Sequence, residues 1–337
     1  MTQDTAEATA APVSDEDFPR LADPYRRELL AHCYRMMGSV HDAEDLVQET
    51  YLRAWRNYHK FENRSSLRTW LYRIATNACL TALDGKSRRP LPTGLGQPSS
   101  SPDSPLVEQG EVPWLEPAPD SMFGDNPYDP ASIVTSRESI RLALIAALQH
   151  LPPRQRAVLV LRDVLRWKAA EVAEALETST AAVNSILQRA HAQLAKANLT
   201  EDSIVEPESA EQRAMLDRWV EAFWEKDVAA IASMFSEDAV WEMPPFNGWY
   251  QGPEAISRLI DRQCPGRSHD MRLVPTRANG QPAFGLYMRA GGAGRFEPFH
   301  LQVLTIGRTG VDHVTAFFDV GLFARFGLPA YLPAEPA

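Results

Sequence analysis

Between Pro90 and Pro130 the chain carries ten prolines, seven carboxylates (Asp103, Glu108, Glu111, Glu116, Asp120, Asp125, Asp129) and no lysine or arginine. A run of that kind lacks the apolar surface to order itself, and it divides whatever precedes it from whatever follows. At 337 residues the chain has room for two or three domains on either side of such a divide. The composition predicts a linker over 91–134 that is extended and mobile when alone, acting as a passive tether or as a strand with a use of its own. Trp114, Phe123 and Tyr128 are its candidate anchors.

Ahead of the linker, two stretches have helical periodicity. In the first, Ala43, Leu46, Val47, Thr50, Tyr51, Ala54, Trp55 and Tyr58 fall on one face, leaving Asp45, Gln48, Glu49, Arg53 and Arg56 outside it. In the second, Leu67, Trp70, Leu71, Ile74, Ala75 and Ala78 repeat at the same spacing, with Arg68, Arg73 and Asn77 presented elsewhere. The joining segment Phe61-Glu62-Asn63-Arg64-Ser65-Ser66 supplies a capping hydroxyl, Ser65 or Ser66. An earlier helix begins at Pro24, buries Leu29, Leu30, Cys33, Met36 and Met37, and ends at Gly38-Ser39. The formal charge of the whole chain is −10, which argues against a nucleic-acid partner only on average. Basic residues crowd the first quarter, from Arg26 and Arg27 to Arg88 and Arg89, while the acid lies mainly elsewhere.

Beyond the linker, helices are predicted from about Arg154 to Val164, Lys168 to Leu176 and Thr180 to Ala195. Small or apolar residues (Ala169, Val172, Ala173, Leu176, Val183, Ile186, Leu187, Ala190, Leu194) sit where two of them would cross. That is the pattern of a helix-turn-helix. On its second helix Asn184, Ser185, Gln188 and Arg189 face outward, and Asn, Gln and Arg are side chains that bond base edges bidentately. Arg162, Lys168 and the hydroxyls of Ser179 and Thr180 suit phosphates.

The order DAEDLVQETYLRAW, then F-x-x-R-S-S-L-R-T-W-L-Y-R-I-A-T-N-A-C, resembles region 2 of sigma-70 family RNA polymerase sigma factors of the extracytoplasmic-function group. The pattern LPPRQRAVLVLRD, AAEVAEAL and STAAVNSILQRAHAQL resembles region 4 of the same family. The resemblance implies that Asp45, Gln48, Glu49 and Arg53 contact the polymerase core. It implies that Phe61, Asn63, Arg64, Ser65, Ser66, Trp70, Arg73 and Asn77 contact melted minus-10 DNA, where stacking faces, cations and a polar base pocket are the required chemistry. Region 4 would read the minus-35 duplex. The linker would thread the polymerase toward the RNA exit path, its acid standing in a basic channel in place of nucleic acid. Two departures stand out. Thr81 replaces an acidic residue common in the family, so no minus-10 sequence follows, and Glu177 stands where the family usually has a turn glycine.

Sigma factors of this group end near Leu199, and this chain continues. An acidic hinge precedes an apolar-striped helix over Glu211–Lys226, a short one from Val228, and another over Pro253–Arg262. Strand-like runs follow at Val240–Met243, Met271–Arg277, Ala283–Arg289, Phe299–Ile306 and Val311–Phe318. Helices followed by a long antiparallel sheet indicate an α+β domain. The run from Leu216 to Ile256 resembles the SnoaL-like, cone-shaped branch of the nuclear-transport-factor-2 superfamily, which implies a sheet curled around a pocket. Candidate pocket residues are Trp241, Glu242, His300, Phe317 and Asp319. Strand alternation puts His300 and Gln302 on one face without saying which.

The expected architecture is therefore two all-α domains and a C-terminal α+β cone. A disordered N-terminus is expected at 1–19, region 2 at 20–90, the linker at 91–134, region 4 at 135–200, a hinge at 201–210 and the SnoaL-like domain at 211–330. The isolated Cys33, Cys79 and Cys264 read as buried free thiols, with no metal site or cofactor implied. The chain has no 20-residue apolar run and no basic-then-apolar leader, which points to a cytoplasmic protein without a membrane partner. The expected function is promoter-directed initiation with polymerase core and minus-10 and minus-35 DNA as partners, and with the appended domain acting in cis. Two alternatives remain for that domain: a sensor of a small apolar ligand, or a cyclase, isomerase or hydrolase working through a carboxylate such as Glu242 or Asp319.

Overall fold

The computed structural model describes residues 18–61, 65–124, 140–196, 209–290 and 294–334. The first helical unit comprises α1 (Phe18–Ala22), α2 (Arg26–Met37), α3 (Val40–Asn57) and α4 (Leu67–Leu83). Gly38 ends α2 in the left-handed region at φ 67°, a conformation that glycine adopts without steric cost. Space excludes a side chain there as well. A Cβ at Gly38 would lie 2.8 Å from Leu115 Cδ1 and 2.9 Å from Gln149 Cδ. Ser39 caps α3 by accepting from the Asp42 amide, and Ser66 caps α4 by accepting from the Thr69 amide.

The second helical unit holds α5 (Leu142–Gln149), α6 (Pro153–Leu159), which runs into one π turn over Val160–Val164, α7 (Ala169–Ala175) and α8 (Thr180–Lys196). The C-terminal domain follows with α9 (Ala210–Glu225), α10 (Val228–Ser233), β1 (Phe235–Glu242), β2 (Trp249–Gln251), α11 (Pro253–Gln263), β3 (Met271–Ala278), β4 (Gln281–Arg289), β5 (Phe296–Ile306), β6 (Val311–Phe317) and α12 (Leu322–Arg325). The strands form one sheet in the order β2-β1-β6-β5-β4-β3. The sheet is mixed, because β1 pairs parallel with β6 while the other neighbours are antiparallel. This corrects the expectation of an antiparallel sheet.

Alternation along the strands separates two cores. His300, Gln302, Leu304 and Ile306 of β5 are buried on the inner side of the sheet, and Leu304 and Ile306 share an apolar cluster with Trp219, Phe223, Trp241, Ile256 and Leu286. Leu301 and Val303 of β5, with Phe317 of β6 and Ala283 of β4, instead share a cluster with Tyr34, Met36, Leu148 and Val158 of the helical units. The outer face of the sheet is thus part of the sigma-like core.

The linker finds partners along its described length. Its described part, 91–124, is packed between the units rather than free, and the rest of it, with Tyr128, lies outside the described residues. Leu115, Ala118 and Phe123 are buried, and three of its acids, Asp103, Glu116 and Asp120, are paired within the chain. Glu116 receives Val40 N at 3.0 Å and Ser39 Oγ at 3.0 Å at the start of α3, where the helix dipole favours a carboxylate. Asp120 receives Arg277 Nε at 2.9 Å and Gly280 N at 2.7 Å, and Asp103 pairs with Arg258 and Arg262 of α11. Composition reports what a segment can bury alone, and here the partner surfaces supply what it lacks.

Candidate functional site

The candidate polymerase face lies on α3. Asp45, Gln48 and Arg53 are exposed and Glu49 is half-buried, with Arg53 Nε donating to Glu49 Oε1 at 2.6 Å. Periodicity placed Trp55 on the buried side, yet it is 48% exposed, and Leu52 beside it is 49% exposed. Together with Phe18, Pro19, Ala22, Tyr51 and Gln48 they border a cavity of about 480 Å³. An apolar groove on a charged face was not expected from the sequence. The signal that would have found it is the surplus of apolar residues on α3 over what one buried stripe needs.

Of the candidate minus-10 residues, Asn63 and Arg64 lie outside the described residues. Phe61 stacks near Tyr58 with ring centroids 6.1 Å apart and an 18° interplanar angle, and Trp70 lies 4.9 Å from Phe61. These rings form one half-buried aromatic patch beside Ser65, while Ser66 is spent on capping α4. Arg73, one turn further on, reaches across to the second helical unit, where its Nη2 lies 3.2 Å from Glu177 Oε1. Asn77 stays half-buried on α4.

In the second unit, α7 and α8 make the expected helix-turn-helix. Glu177, in the turn, has φ 50°, a left-handed conformation in which a glycine would be unstrained. Ser179 caps α8 by accepting from the Ala182 amide at 3.1 Å, while Thr180, Asn184, Ser185, Gln188 and Arg189 are exposed. Lys168 is exposed at the start of α7, and Arg162 donates to the Trp167 carbonyl, so Arg162 serves the local fold.

The five candidate pocket residues do not converge. Trp241 and His300 line a cavity of about 220 Å³ inside the cone, with Phe223, Met243, Phe246, Leu259, Phe299 and Phe318. Phe317 and Asp319 border a different cavity of about 300 Å³ between the sheet, Leu322 and linker residues 112–117. Glu242, one residue past Trp241, faces the other way. Its carboxylate is fully buried and receives Thr93 N and Thr93 Oγ1, each at 3.0 Å, and lies 2.8 Å from His313 Nε2. It ties the linker to β1 and β6.

His300 and Gln302 face the inside, which resolves the open choice between the two faces. Trp219 Nε1 donates to Gln302 Oε1 at 3.1 Å, so the Gln302 amide nitrogen is the atom 2.9 Å from His300 Nε2. His300 Nε2 must then accept, and the ring proton resides on Nδ1. Burial lowers the His300 pKa to about 3, so the ring is neutral.

The residue that most tightly joins the units was not singled out from the sequence. Asn279 and Gly280 form the two-residue turn between β3 and β4, both with positive φ (56° and 71°), as this hairpin class requires. The fully buried Asn279 side chain donates to Tyr34 Oη at 2.9 Å and to the Ile140 carbonyl at 2.6 Å, and accepts from the Ala118 amide at 2.9 Å. Four segments of the chain meet there. The Asn-Gly pair is legible as a turn, but its three distant partners are not.

Residues 21–89 match the model of Sigma-70 region 2, residues 141–194 that of Sigma-70 region 4, and residues 216–320 that of a SnoaL-like domain. The ECF RNA polymerase sigma factor SigG of Mycobacterium tuberculosis is 59% identical over 315 residues, which cover 93% of this chain and 84% of that protein. The ECF sigma factor SigJ of the same species is 29% identical over 255 residues, 72% of each chain. The crystal structure of SigJ has the same fold, with a TM-score of 0.59 at 22% identity, covering 92% of this chain and 99% of that one. Among the described residues no helix is long and apolar enough to cross a membrane.

Proposed function

The chain belongs to the extracytoplasmic-function RNA polymerase sigma factors, and from that premise we propose that it directs promoter-dependent initiation while its SnoaL-like domain holds it closed. Region 2 docks on the polymerase core through the exposed face of α3 and opens the minus-10 element with the Phe61, Trp70 and Arg73 surface. Region 4 binds the minus-35 duplex with Asn184, Gln188 and Arg189 of α8, and Lys168 and Thr180 contact its phosphates.

The observation that carries the cis-regulatory reading is the 3.2 Å contact between Arg73 and Glu177. The two promoter elements are centred about 25 base pairs apart, which is roughly 85 Å at about 3.4 Å per pair. A region 2 helix that touches the turn of region 4 cannot serve both elements at once, so the units must separate before an open complex forms. The outer sheet face, Glu242 and Asn279 bind both units and the linker, which makes the third domain the brace of the closed state. The cone cavity has no carboxylate among its described lining residues, and Glu242 and Asp319 lie away from it, which favours a binding role over acid–base catalysis.

Abortive transcription with bacterial core polymerase tests this reading, comparing the full chain, a version stopped after Leu199, and the full chain carrying Asn279→Ala. Both altered proteins should initiate more than the full chain. Activity that falls in both, with each protein folded, would make the appended domain a required positive element and reject the brace.

A further inference from the structure

The turn that joins the units is a dipeptide whose side chain is readily attacked by its own backbone. In Asn279-Gly280 the Gly280 amide nitrogen can close a five-membered ring on Asn279 Cγ, because glycine has no side chain to obstruct the approach. A bond forms between that nitrogen and Cγ, the bond from Cγ to Nδ2 breaks, and Nδ2 leaves as ammonia with the proton that the Gly280 nitrogen gave up. Water then opens the cyclic imide at one of its two carbonyls. The product is an aspartate, or an isoaspartate whose main chain runs through Cβ and Cγ.

The closed protein holds both reacting atoms. Gly280 N donates to Asp120 Oδ1 at 2.7 Å, and Arg277 Nε donates to the other oxygen of the same carboxylate at 2.9 Å. The fully buried Asn279 amide is fixed by the Ala118 amide, Tyr34 Oη and the Ile140 carbonyl, and ring closure would require it to turn away from all three. Tyr34, Ala118, Asp120 and Ile140 all lie outside the SnoaL-like domain. Parting of the units therefore frees the nucleophile and the amide together.

The product does not fit the place the asparagine leaves. Asn279 Nδ2 gives one proton to the Ile140 carbonyl at 2.6 Å and one to Tyr34 Oη at 2.9 Å, while the Tyr34 hydroxyl proton is given to the Glu116 carbonyl at 2.7 Å. A carboxylate has no proton to offer, so its oxygen would face the Ile140 carbonyl oxygen lone pair to lone pair, as an uncompensated charge in a buried junction. Isoaspartate also adds a main-chain carbon to a turn whose flanking strands pair in register from Ala278 with Gln281. We propose that Asn279-Gly280 is a self-modification site, guarded by the closed state and open to deamidation once the units part, which makes release of the third domain one-way. The consequence for initiation rests on the cis-regulatory reading above, whereas the site and its guarding are measurable without polymerase.

The test incubates the full chain near neutral pH, folded and in guanidinium chloride, and follows the gain of one mass unit at Asn279 by peptide mass spectrometry. Asn279 should react about tenfold or more slowly in the folded chain, and Tyr34→Phe, which removes one partner of the amide, should narrow that gap. Asn279→Asp supplies the carboxylate directly. Hydrogen exchange at the Ala118 amide, which donates to Asn279 Oδ1, should then be about tenfold faster than in the wild type and faster than in Asn279→Gly, which loses the bonds without adding a charge. Where Asn279→Asp does not fold, the aged fraction of Tyr34→Phe that has gained the charge, separated by anion exchange from the fraction that has not, gives the same comparison. Equal deamidation rates folded and unfolded would overturn the guard, and no gain of mass at Asn279 in the unfolded chain would overturn the site. Wild-type exchange at Ala118 in the carboxylate form would mean that the product docks again and would overturn the one-way release. Faster exchange without a rise in abortive initiation would instead reject the brace and leave the site standing.

Discussion

Two histidines that never meet solvent, His32 and His300, set how the fold responds to acid. Burial lowers each to about 3, with Arg35 adding to the effect at His32. The unfolded chain takes up both protons below its ordinary pKa of about 6.5, while the folded chain refuses them until about pH 3. Stability is therefore full above about pH 6.5 and declines as pH falls, by up to about 1.4 kcal/mol per unit for each histidine. Urea unfolding at pH 7 and pH 5 should show a loss of roughly 4 kcal/mol from the pair, and His300→Gln should roughly halve the slope. A slope unchanged by that substitution would mean that His300 is not held neutral. Sequence alternation put His300 with Gln302 on one side of a strand, but the face was illegible because it depends on which layer covers the sheet. Glu242 shows the same limit: its place next to Trp241 suggested a shared pocket, and strand geometry sends the two to opposite faces.

Among elements, α8 is the best matched to its sequence. Its buried Val183 and Ala190 and exposed Asn184, Ser185, Gln188 and Arg189 follow the 3.6-residue period. Asn184→Ala and Arg189→Ala should each weaken selected minus-35 sequences by about 1 to 3 kcal/mol while leaving non-specific binding closer to its original level. Promoter selection that is unaltered in both would remove α8 from base readout. The linker lies at the opposite extreme. Its order comes from carbonyls and amides paired to β-strand edges and loops well over a hundred residues away, and from carboxylates aimed at Arg258, Arg262, Arg277 and the start of α3. None of those partners leaves a periodic mark in the segment itself. The parallel pairing of β1 with β6 was hidden for a related reason, since it joins strands separated by most of the domain.

For the molecule as a whole, the third domain is joined to the other two by a buried polar junction as well as by apolar area. Asn279→Ala removes three side-chain hydrogen bonds and leaves at φ 56° a residue that lacks the polar side chain by which Asn tolerates the left-handed region, a change worth about 3 kcal/mol. Asn279→Gly loses the same bonds but suits the backbone, and should cost about 1 kcal/mol less. Measured by denaturant unfolding and abortive transcription together, stability should rank wild type, Gly, Ala, with initiation in the reverse order. Activity that did not follow stability in this series would separate the junction from the closed state.

The cross-domain ion pairs are of another kind. Arg73 with Glu177, and Arg325 of α12 with Glu44 of α3, sit where solvent reaches them, with side-chain exposures of 40% and 77% in the first pair and 31% and 43% in the second. Such pairs are screened as dissolved salt rises, since the Debye length is only about 8 Å near 0.15 M. The same ions weaken every contact between an arginine and a DNA phosphate. Salt thus loosens the closed protein and the promoter complex together. On the minus-10 role proposed for Arg73, the closed state competes with DNA for that side chain, and the two losses offset each other in part. The full chain should then respond to changes in ionic strength less steeply than its DNA-binding regions on their own.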